Sequence, residues 1–315
     1  MVEETRVKDL REKKPKKENI PSLEEGIYLF ISYDLVNSTK LKTLCSSHEW
    51  QVLIEEYYKI TGNLASNPLN SMIWKYIGDE VLMYKHIPDP ETLCDTIDNT
   101  YTTLGKLNSF IRNWELQSTI HRNLLAVKCT TWCTLVGNDS QEANKCVALQ
   151  VSTINSRGRY YEQYVPDFIG PDIDIGFRIA EHADRARMLL SSDLALLVFK
   201  CSKISDKPQQ KAYCSKIAGK MKIVSFKQLK GVWHDRPYPI IWYEEEDPWG
   251  NVYNSFEYDE HLSSDIVKEL LDAKDNQAQL KDISILEKVY HDVGIPAKLD
   301  AMLAILHKKS QPRKQ

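Results

Sequence analysis

The chain lacks any long apolar run. Its 315 residues contain no stretch that approaches the roughly 20 apolar residues needed to cross a bilayer. Residues 1–22 are rich in Lys, Glu and Arg and have no apolar centre of the kind that signal peptides carry. These absences predict a protein that does not contact a membrane and lies in the cytoplasm. They also predict that residues 1–22 form a solvated, flexible basic arm.

Paired cysteines and a strong charge of one sign are missing too. The seven cysteines form no Cys-x-x-Cys pair and are odd in number, which is typical of reduced thiols and disfavours a zinc site. With 41 basic and 44 acidic residues the net charge is −3, so the chain lacks the positive field that general nucleic-acid binding needs. Any anion that the protein binds must therefore be held by a local group of residues.

Hydrophobic patterning predicts one large α/β unit. An apolar strand over 26–34 precedes a helical segment, and two short strands then flank a Gly-Asp pair at 78–79 as a hairpin. A second helix over 90–115 leads into a strand over 124–135. This order predicts a ferredoxin-like βαββαβ core of the α+β type, in which helices cover one face of an antiparallel sheet.

The rest of the chain is predicted from weaker patterns. We expect a third helix over 171–199 and further strands over 222–226 and 239–243. The residue pattern changes near Pro248, where a turn-rich stretch over 249–255 precedes a helical pattern over 261–308. This change predicts a catalytic domain over 23–247 and a helical C-terminal extension over 248–315. No motif in the extension indicates a role for it.

Two aspartates stand where predicted strands end. Asp34 closes the first strand and Asp79 lies at the hairpin tip, 45 positions later (79 − 34). Each alone fits an ordinary turn residue. On adjacent strands of one sheet, however, the two carboxylates can bridge two divalent ions, and hard oxygen ligands favour Mg²⁺ or Mn²⁺ over zinc.

The sequences around both aspartates resemble the metal motifs of the class III adenylyl and guanylyl cyclase family. The first is an apolar strand that ends at Asp34 and is followed by a Ser/Thr-led helix at 38–39. The second is Lys-x-x-Gly-Asp over 75–79. The resemblance implies that Asp34 and Asp79 bind two Mg²⁺ or Mn²⁺ ions, with the backbone carbonyl of Leu35 as a further ligand.

A third segment, 167–178, resembles the same family in its offsets between an acidic residue, a glycine and an arginine. The resemblance implies that Lys75 and Asp167 contact the base. It also implies that Arg178 neutralises charge on the α-phosphate in the transition state. Asp174 stands where most of the family has an asparagine that orients the ribose, which puts that role in question for this chain.

The same resemblance implies a reaction and an assembly. The ribose 3′-hydroxyl attacks the α-phosphorus of a nucleoside triphosphate, and pyrophosphate leaves. In the family the metal residues and the arginine come from different subunits, so a chain that carries both sets implies a homodimer with two composite active sites. A weaker match at 229–232 places Lys230 against the triphosphate, although a solvated turn lysine fits that position equally.

The base is predicted from donors and acceptors. A Lys75 donor and an Asp167 acceptor suit adenine through N1 and N6, or uracil through a carbonyl oxygen and N3–H. Cytosine N3 is itself an acceptor and would oppose the carboxylate, although its exocyclic amine offers a donor.

The short catalytic domain with its helical extension, the aspartate at 174 and the aromatic-rich first helix resemble the bacterial anti-phage cyclases of the Pycsar type, which make cyclic UMP or cyclic CMP. The resemblance favours UTP as substrate and cyclic UMP as a second messenger in defence. Trp50 is the candidate to fill the space of a purine, although a core position fits it as well. The alternatives are an adenylate cyclase, a cytidylate cyclase and, from another class, a non-catalytic nucleotide-binding regulatory module.

Overall fold

A computed structural model describes residues 23–118, 123–137, 147–154, 160–204, 207–233, 236–244, 257–258, 283–293 and 296–308. The strands are β1 Gly26–Val36, β2 Met72–Ile77, β3 Glu80–Ile87, β4 Ala126–Val136, β5 Val147–Ile154, β6 Tyr160–Ile169, β7 Met188–Leu190, β8 Met221–Gln228, β9 Pro237–Tyr243 and β10 Glu257–Tyr258. The helices are α1 Ser38–Leu44, α2 Ser47–Ser66, α3 Pro90–Gln117, α4 Pro171–Ala180, α5 Ser192–Ile204, α6 Pro208–Gly219, α7 Leu286–Val293 and α8 Pro296–Lys308. The predicted basic arm over 1–22 lies outside the described residues.

The main sheet has eight strands in the order β10-β8-β9-β7-β4-β1-β3-β2. Neighbouring strands are antiparallel except for the β4–β7 and β8–β10 pairs. Strands β5 and β6 form a separate antiparallel pair. The predicted α/β fold with a mostly antiparallel sheet and helices is confirmed, and the predicted order strand, helix, hairpin, helix, strand corresponds to β1 through β4.

Strand β1 lies inside the sheet and is buried on both faces. Its odd-numbered residues belong to the larger core, which is packed against the helices; they are Ile27, Leu29, Ile31, Tyr33 and Leu35. Its residues Tyr28 and Phe30 point to the opposite face and join a smaller aromatic core. This alternation follows from the two-residue period of a strand and determines which face the end of β1 presents.

The aromatic core on the second face is covered by β6 and α4. Its buried members are Tyr28, Phe30, Trp74, Leu82, Tyr84, Trp132, Val136, Phe168 and Ile173. Phe30 and Trp132 stack with their ring centroids 5.6 Å apart. Phe168 at the end of β6 meets Phe30 edge-on at 4.8 Å. Both faces of the sheet are therefore covered, and the prediction of helices on one face alone is incomplete.

The predicted third helix over 171–199 is wrong. The structure divides it into α4, a turn over 181–187, strand β7 and helix α5. Residue Ala186 in that turn has a φ of +57°, which no helix continues through. Strand β7 is only three residues long and pairs in parallel with β4. Such a short apolar run is equally compatible with a helix, and its pairing partner is remote in sequence.

The C-terminal segment packs into the larger core. The buried residues that it contributes are Ile283, Ile285, Leu286, Val289, Tyr290, Leu299, Met302, Leu303 and Leu306. Within the described ranges, none of the helices combines the length and the apolar character that a membrane span needs. The six described cysteines are free thiols, and five of them are buried.

Candidate active site

Asp34 lies near the end of β1, on the same face of the sheet as Phe30. The strand register pairs it with Glu80 on β3 and with Lys128 on β4. The Nζ of Lys128 is 3.2 Å from the Asp34 Oδ2. Asp34 is therefore an acidic residue at the end of a buried strand. The neighbouring strands place one carboxylate, Glu80, and one ammonium group, Lys128, beside it.

Asp79 occupies the turn between β2 and β3. The preceding Gly78 has a φ of +63°, a conformation that glycine adopts without steric cost. The Tyr58 hydroxyl donates a hydrogen bond to the Gly78 carbonyl and so attaches the turn to helix α2. The Nζ of Lys42 lies 3.8 Å from the Asp79 Oδ1. The tip of the hairpin is therefore held in place from the side of helices α1 and α2.

One cavity of about 760 Å³ joins the two aspartates. The residues that line it are Asp34, Leu35, Val36, Asn37, Ser38, Thr39, Lys40, Thr43, Asp79, Lys128, Ala183, Asp184 and Arg185. Burial raises the pKa of the nearby Tyr57 hydroxyl, and the charges of Asp34 and Asp79 raise it further. The structure thus brings together three sequence-predicted residues, Asp34, Leu35 and Asp79, together with basic groups that suit a polyphosphate.

Glu80 is a third carboxylate beside Asp34 and Asp79, and no sequence motif predicts a role for it. The Ser32 hydroxyl donates a 2.5 Å hydrogen bond to its Oε1. Burial raises the pKa of the Glu80 carboxyl, the Ser32 hydrogen bond lowers it, and the charges of Asp34 and Asp79 raise it. Its position next to Asp79 was visible in the sequence. Its pairing with Asp34 cannot be read from the sequence, because local residue patterns do not report which residues of two strands lie opposite each other.

Lys128 and Arg185 are the basic residues of the cavity that the sequence reasoning missed. Lys128 is a single lysine within the otherwise apolar start of β4, and that position was an available signal. Arg185 donates hydrogen bonds from one guanidinium nitrogen to the carbonyls of Asn123 at 2.8 Å and Leu125 at 3.2 Å. It lies in the turn after α4, where no helix or strand pattern indicates a site.

Lys75 and Asp167 form a second site group. The Lys75 Nζ lies 2.6 Å from the Asp167 Oδ1, although the residues are 92 positions apart. The two side chains remain 34% and 38% exposed, so a ligand can reach both. The Lys75 ammonium also lies 4.2 Å from the centre of the Trp74 ring. The indole nitrogen of Trp74 is buried and has no hydrogen-bond partner within the described part of the chain.

Helix α4 carries Asp174 and Arg178. Asp174 is exposed. Arg178 is half-buried, and its side chain makes no hydrogen bond or ion pair to any described residue. The helix lies directly on β4, because a Cβ atom at Gly176 would come within 2.3 Å of the Trp132 indole. Neither Asp174 nor Arg178 lines the cavity of the two aspartates. Within one chain, the cavity of the two aspartates is therefore lined without the residue proposed to act in the transition state.

Neither Trp50 nor Lys230 is among the residues that line the cavity of the two aspartates. Trp50 is on α2, packed at the edge of the larger core, and the Lys42 ammonium is 5.7 Å from its ring centre. It is thus on the Asp79 side, and the aromatic side chain beside the Lys75–Asp167 pair is Trp74. Lys230 is exposed in the turn that follows β8.

The donor chemistry at the first site suits a divalent cation. Among the residues that the structure describes, no three His, Cys, Asp or Glu side chains converge as a metal cluster. Asp34 and Asp79 nevertheless face one cavity with 31% and 20% of their side chains exposed. Two carboxylates completed by backbone, water and phosphate oxygens are the coordination that Mg²⁺ takes in nucleotide sites.

No protein-family model matches the chain, and no curated protein matches it. Among solved structures, the adenylyl cyclase CyaB from P. aeruginosa is 12% identical over 71% of this chain and 97% of its own, with a TM-score of 0.49. The guanylate cyclase domain of RhGC from Catenaria anguillulae, in complex with GTP, is 12% identical over 71% and 98%, with a TM-score of 0.45. A bacterial light-regulated adenylyl cyclase is 10% identical over 73% and 95%, with a TM-score of 0.42. With TM-scores below 0.5, these likenesses assign no activity to this chain.

Proposed function

We propose that the chain is a nucleotidyl cyclase, a phosphorus–oxygen lyase that converts a nucleoside triphosphate into its 3′,5′-cyclic monophosphate and pyrophosphate. The observation that carries the proposal is the convergence of Asp34 and Asp79 on one cavity that Lys128 and Arg185 also line. Carboxylates and fixed positive groups around one space suit a metal-bound triphosphate. A regulatory module that only binds nucleotides needs no such carboxylate pair.

The reaction is an intramolecular displacement. The ribose 3′-hydroxyl gives up its proton to solvent, and its oxygen forms a bond to the α-phosphorus. The bond from that phosphorus to the bridging oxygen breaks, and pyrophosphate leaves with that oxygen. Two Mg²⁺ or Mn²⁺ ions, held by Asp34, Asp79 and the Leu35 carbonyl, would lower the pKa of the 3′-hydroxyl and neutralise triphosphate charge. Lys128 and Arg185 hold positive charge beside the same phosphates. The protein's other contribution to the rate is to position the 3′-hydroxyl against the α-phosphate, because both reacting groups belong to one molecule.

Arg178 joins the site from a second copy of the chain. It does not line the cavity of the aspartates, and it has no partner of its own among the described residues. Apolar side chains are exposed on the edge strand β2 and at the end of β6; they are Met72, Tyr76, Ile77 and Ile169, at 63%, 46%, 46% and 56%. Such a surface is suited to burial against another copy. A homodimer would then contain two equivalent composite sites.

A mixing experiment tests the composite site. We expect neither Asp34→Ala nor Arg178→Ala chains to form product alone. Random pairing of equal amounts should restore about a quarter of wild-type activity, because half the dimers then contain one intact site of two. The matched control mixes Asp34→Ala with Asp79→Ala. Both of these changes remove a metal ligand, and each composite site takes its metal ligands from one subunit. Every site in this mixture therefore lacks one ligand, and the mixture should stay inactive. Recovery in the control, or none in the test mixture, contradicts a shared site.

Uridine triphosphate is the substrate that we propose. Lys75 donates and Asp167 accepts, which matches the carbonyl oxygen and N3–H of uracil and opposes N3 of cytosine. Trp74 is buried beside this pair, with its ring centroid 5.3 Å from that of Phe168, and we propose that it limits the base to a single ring. Adenine offers a similar donor and acceptor pattern and is the second candidate. The proposed role of cyclic UMP as an anti-phage messenger rests on the sequence resemblance.

Incubation with one nucleotide at a time tests both reaction and base. The protein is mixed with ATP, GTP, CTP or UTP and Mn²⁺, and the products are separated and identified by mass spectrometry. We expect cyclic UMP and pyrophosphate from UTP, and no product from Asp79→Asn. Cyclic AMP alone would overturn the base assignment and leave the cyclase intact. Nucleotide binding without any product would favour the regulatory module.

A further inference from the structure

A buried ion cluster joins the C-terminal helix to helix α4. The Lys298 ammonium on α8 contacts the Asp172 carboxylate in the first turn of α4, and it lies 2.5 Å from Asp193 Oδ2 at the start of α5. The three side chains are only 7%, 8% and 10% exposed. The Tyr290 hydroxyl on α7 donates a hydrogen bond to Asp193. No sequence pattern indicated this cluster, because its members come from three distant segments.

The cluster holds two acids against one base. Burial lowers the pKa of Lys298, but Asp193 and Asp172 raise it by more, so its pKa lies above the usual value and the ammonium stays charged. Burial raises the pKa of the Asp172 carboxyl. A buried carboxylate without a counter-ion is strongly unfavourable, and Lys298 is the cation that the described residues place against both acids. Its contact with Asp172 is therefore a strong constraint on where α4 begins.

Helix α4 is held at three points. The Thr134 hydroxyl on β4 donates a 2.7 Å hydrogen bond to Asp172 Oδ2, and Gly176 lies flush against Trp132. Lys298 holds the first turn through the other oxygen of the same carboxylate. Arg178 follows Asp172 by six residues, roughly 9 Å along the helix axis at 1.5 Å per residue. A shift of the first turn is therefore carried to the arginine by a short rigid helix.

We infer that Lys298 is a positioning residue for the cyclase reaction: through Asp172 it fixes helix α4, and with it Arg178, where the arginine meets the substrate in the partner subunit. This inference rests on the proposed function. It makes the C-terminal segment a part of the catalytic apparatus, although Lys298 itself does not touch the nucleotide. A displacement of about 1 Å at a reacting group is enough to cost on the order of a hundredfold in rate.

Two aspartate variants separate this role from a general contribution to folding. In the full chain, Asp172→Ala removes the attachment of α4 and leaves the Lys298–Asp193 pair. Asp193→Ala is the matched control, because it leaves the Lys298–Asp172 attachment in place. Each variant leaves Lys298 paired with one remaining aspartate, so neither variant creates an unpaired buried charge. We expect Asp172→Ala to lower kcat for UTP and Mn²⁺ by about tenfold or more with KM nearly unchanged, and Asp193→Ala to lower it by less than about threefold.

Variants at the lysine complete the test. Lys298→Met is expected to lower kcat as Asp172→Ala does, Lys298→Arg to recover most of the rate, and Lys288→Met, on the exposed face of α7, to match the wild type. Equal losses in Asp172→Ala and Asp193→Ala at equal thermal midpoints overturn the inference. If Lys298→Met does not fold, the comparison between the two aspartate variants still decides the question.

Hydrogen exchange distinguishes failure of the inference from failure of the proposed function. We expect the backbone amides of α4 to exchange faster in Asp172→Ala than in Asp193→Ala or the wild type. This readout does not require activity. A wild-type chain that forms no cyclic nucleotide overturns the proposed function and, with it, the catalytic part of the inference. Unchanged exchange in Asp172→Ala overturns the inference even if the wild type is active.

Discussion

At the scale of single residues, Gly176 shows how closely helix α4 approaches the sheet. An added Cβ would lie 2.3 to 2.7 Å from three atoms of the Trp132 indole. Trp132 is fully buried and stacked on Phe30, so the ring has little room to move. A methyl group at this position must therefore displace the helix, which also carries Arg178.

We predict that Gly176→Ala destabilises the fold by about 1–3 kcal/mol, the usual cost of overpacking a core. Because α4 shifts, kcat should fall by more than the loss of folded protein explains. Denaturant unfolding and steady-state kinetics measure the two effects. The control is Gly105→Ala, an exposed position inside α3 with nothing within 4 Å of the added carbon. It should stabilise the fold by about 0.5–1 kcal/mol. Equal behaviour of both variants would contradict the tight contact.

Asp34 allows a test of metal binding that needs no substrate. Mn²⁺ should raise the thermal midpoint of the wild type, with about 2.7 kcal/mol of stabilisation at a hundred times its Kd. The effect should disappear in Asp34→Asn and persist in Asp300→Asn, which makes the same chemical change at an exposed residue of α8. A chelator should reverse the shift and abolish activity. A shift that survives in Asp34→Asn would place the metal elsewhere.

Sequence motifs point to candidate site residues wherever those residues lie in short local patterns. Asp34, Asp79 and Lys75 were recognisable because each stands at a strand end or hairpin within a few residues of a glycine or an apolar run. Glu80 and Lys128 acquire their place only through pairing across β1. Pairing between strands remote in sequence depends on packing of the whole sheet, so local patterns do not report it.

At the scale of elements, the connection from β1 to α1 depends on one residue in a left-handed conformation. Asn37 precedes α1 with φ 65° and ψ 20°. Its side-chain amide donates a 2.8 Å hydrogen bond to the Leu124 carbonyl, which fixes the connection to the segment before β4. Asparagine tolerates this conformation better than most residues. The connection also lines the cavity of the two aspartates.

Two variants of Asn37 separate its hydrogen bond from its backbone conformation. Asn37→Gly loses the bond but keeps easy access to positive φ, whereas Asn37→Ala loses both. We predict that the alanine variant is less stable than the glycine variant by about 1–2 kcal/mol, the cost of a left-handed residue that carries a Cβ. Chemical denaturation measures the difference. Equal stabilities would mean that the connection relaxes to an ordinary conformation.

Element order was predictable up to β4 and less so beyond it. Long periodic segments such as α3 and β1 were recognised because their apolar spacing extends over many residues. The antiparallel pair of β5 and β6 has no counterpart in the sequence prediction, although β6 carries Asp167 and contributes Phe168 to the aromatic core. The apolar stretch over 188–199 predicts a helix throughout, because a three-residue strand carries too little pattern to be distinguished.

At the scale of the whole molecule, the larger core includes residues from both sides of the predicted domain boundary at 247. Residues beyond it, among them Leu286, Tyr290 and Leu299, belong to the same core as β1 and α5. The Tyr290 hydroxyl also lies 2.8 Å from the Ser192 hydroxyl at the start of α5. A segment that shares a core with the strands of the main sheet is expected to fold with them as one unit.

Removal of residues 248–315 tests whether the molecule folds as one unit. The described C-terminal helices bury several large apolar side chains, each worth about 1.5–3 kcal/mol on full burial. Their sum is comparable with the roughly 5–15 kcal/mol by which whole domains are stable. A chain ending at Asp247 should therefore be insoluble or unfold without a cooperative transition, measured by circular dichroism on heating. If it instead melts cooperatively at the full-length temperature, the C-terminal helices are an appended unit, and the boundary at 247 is correct.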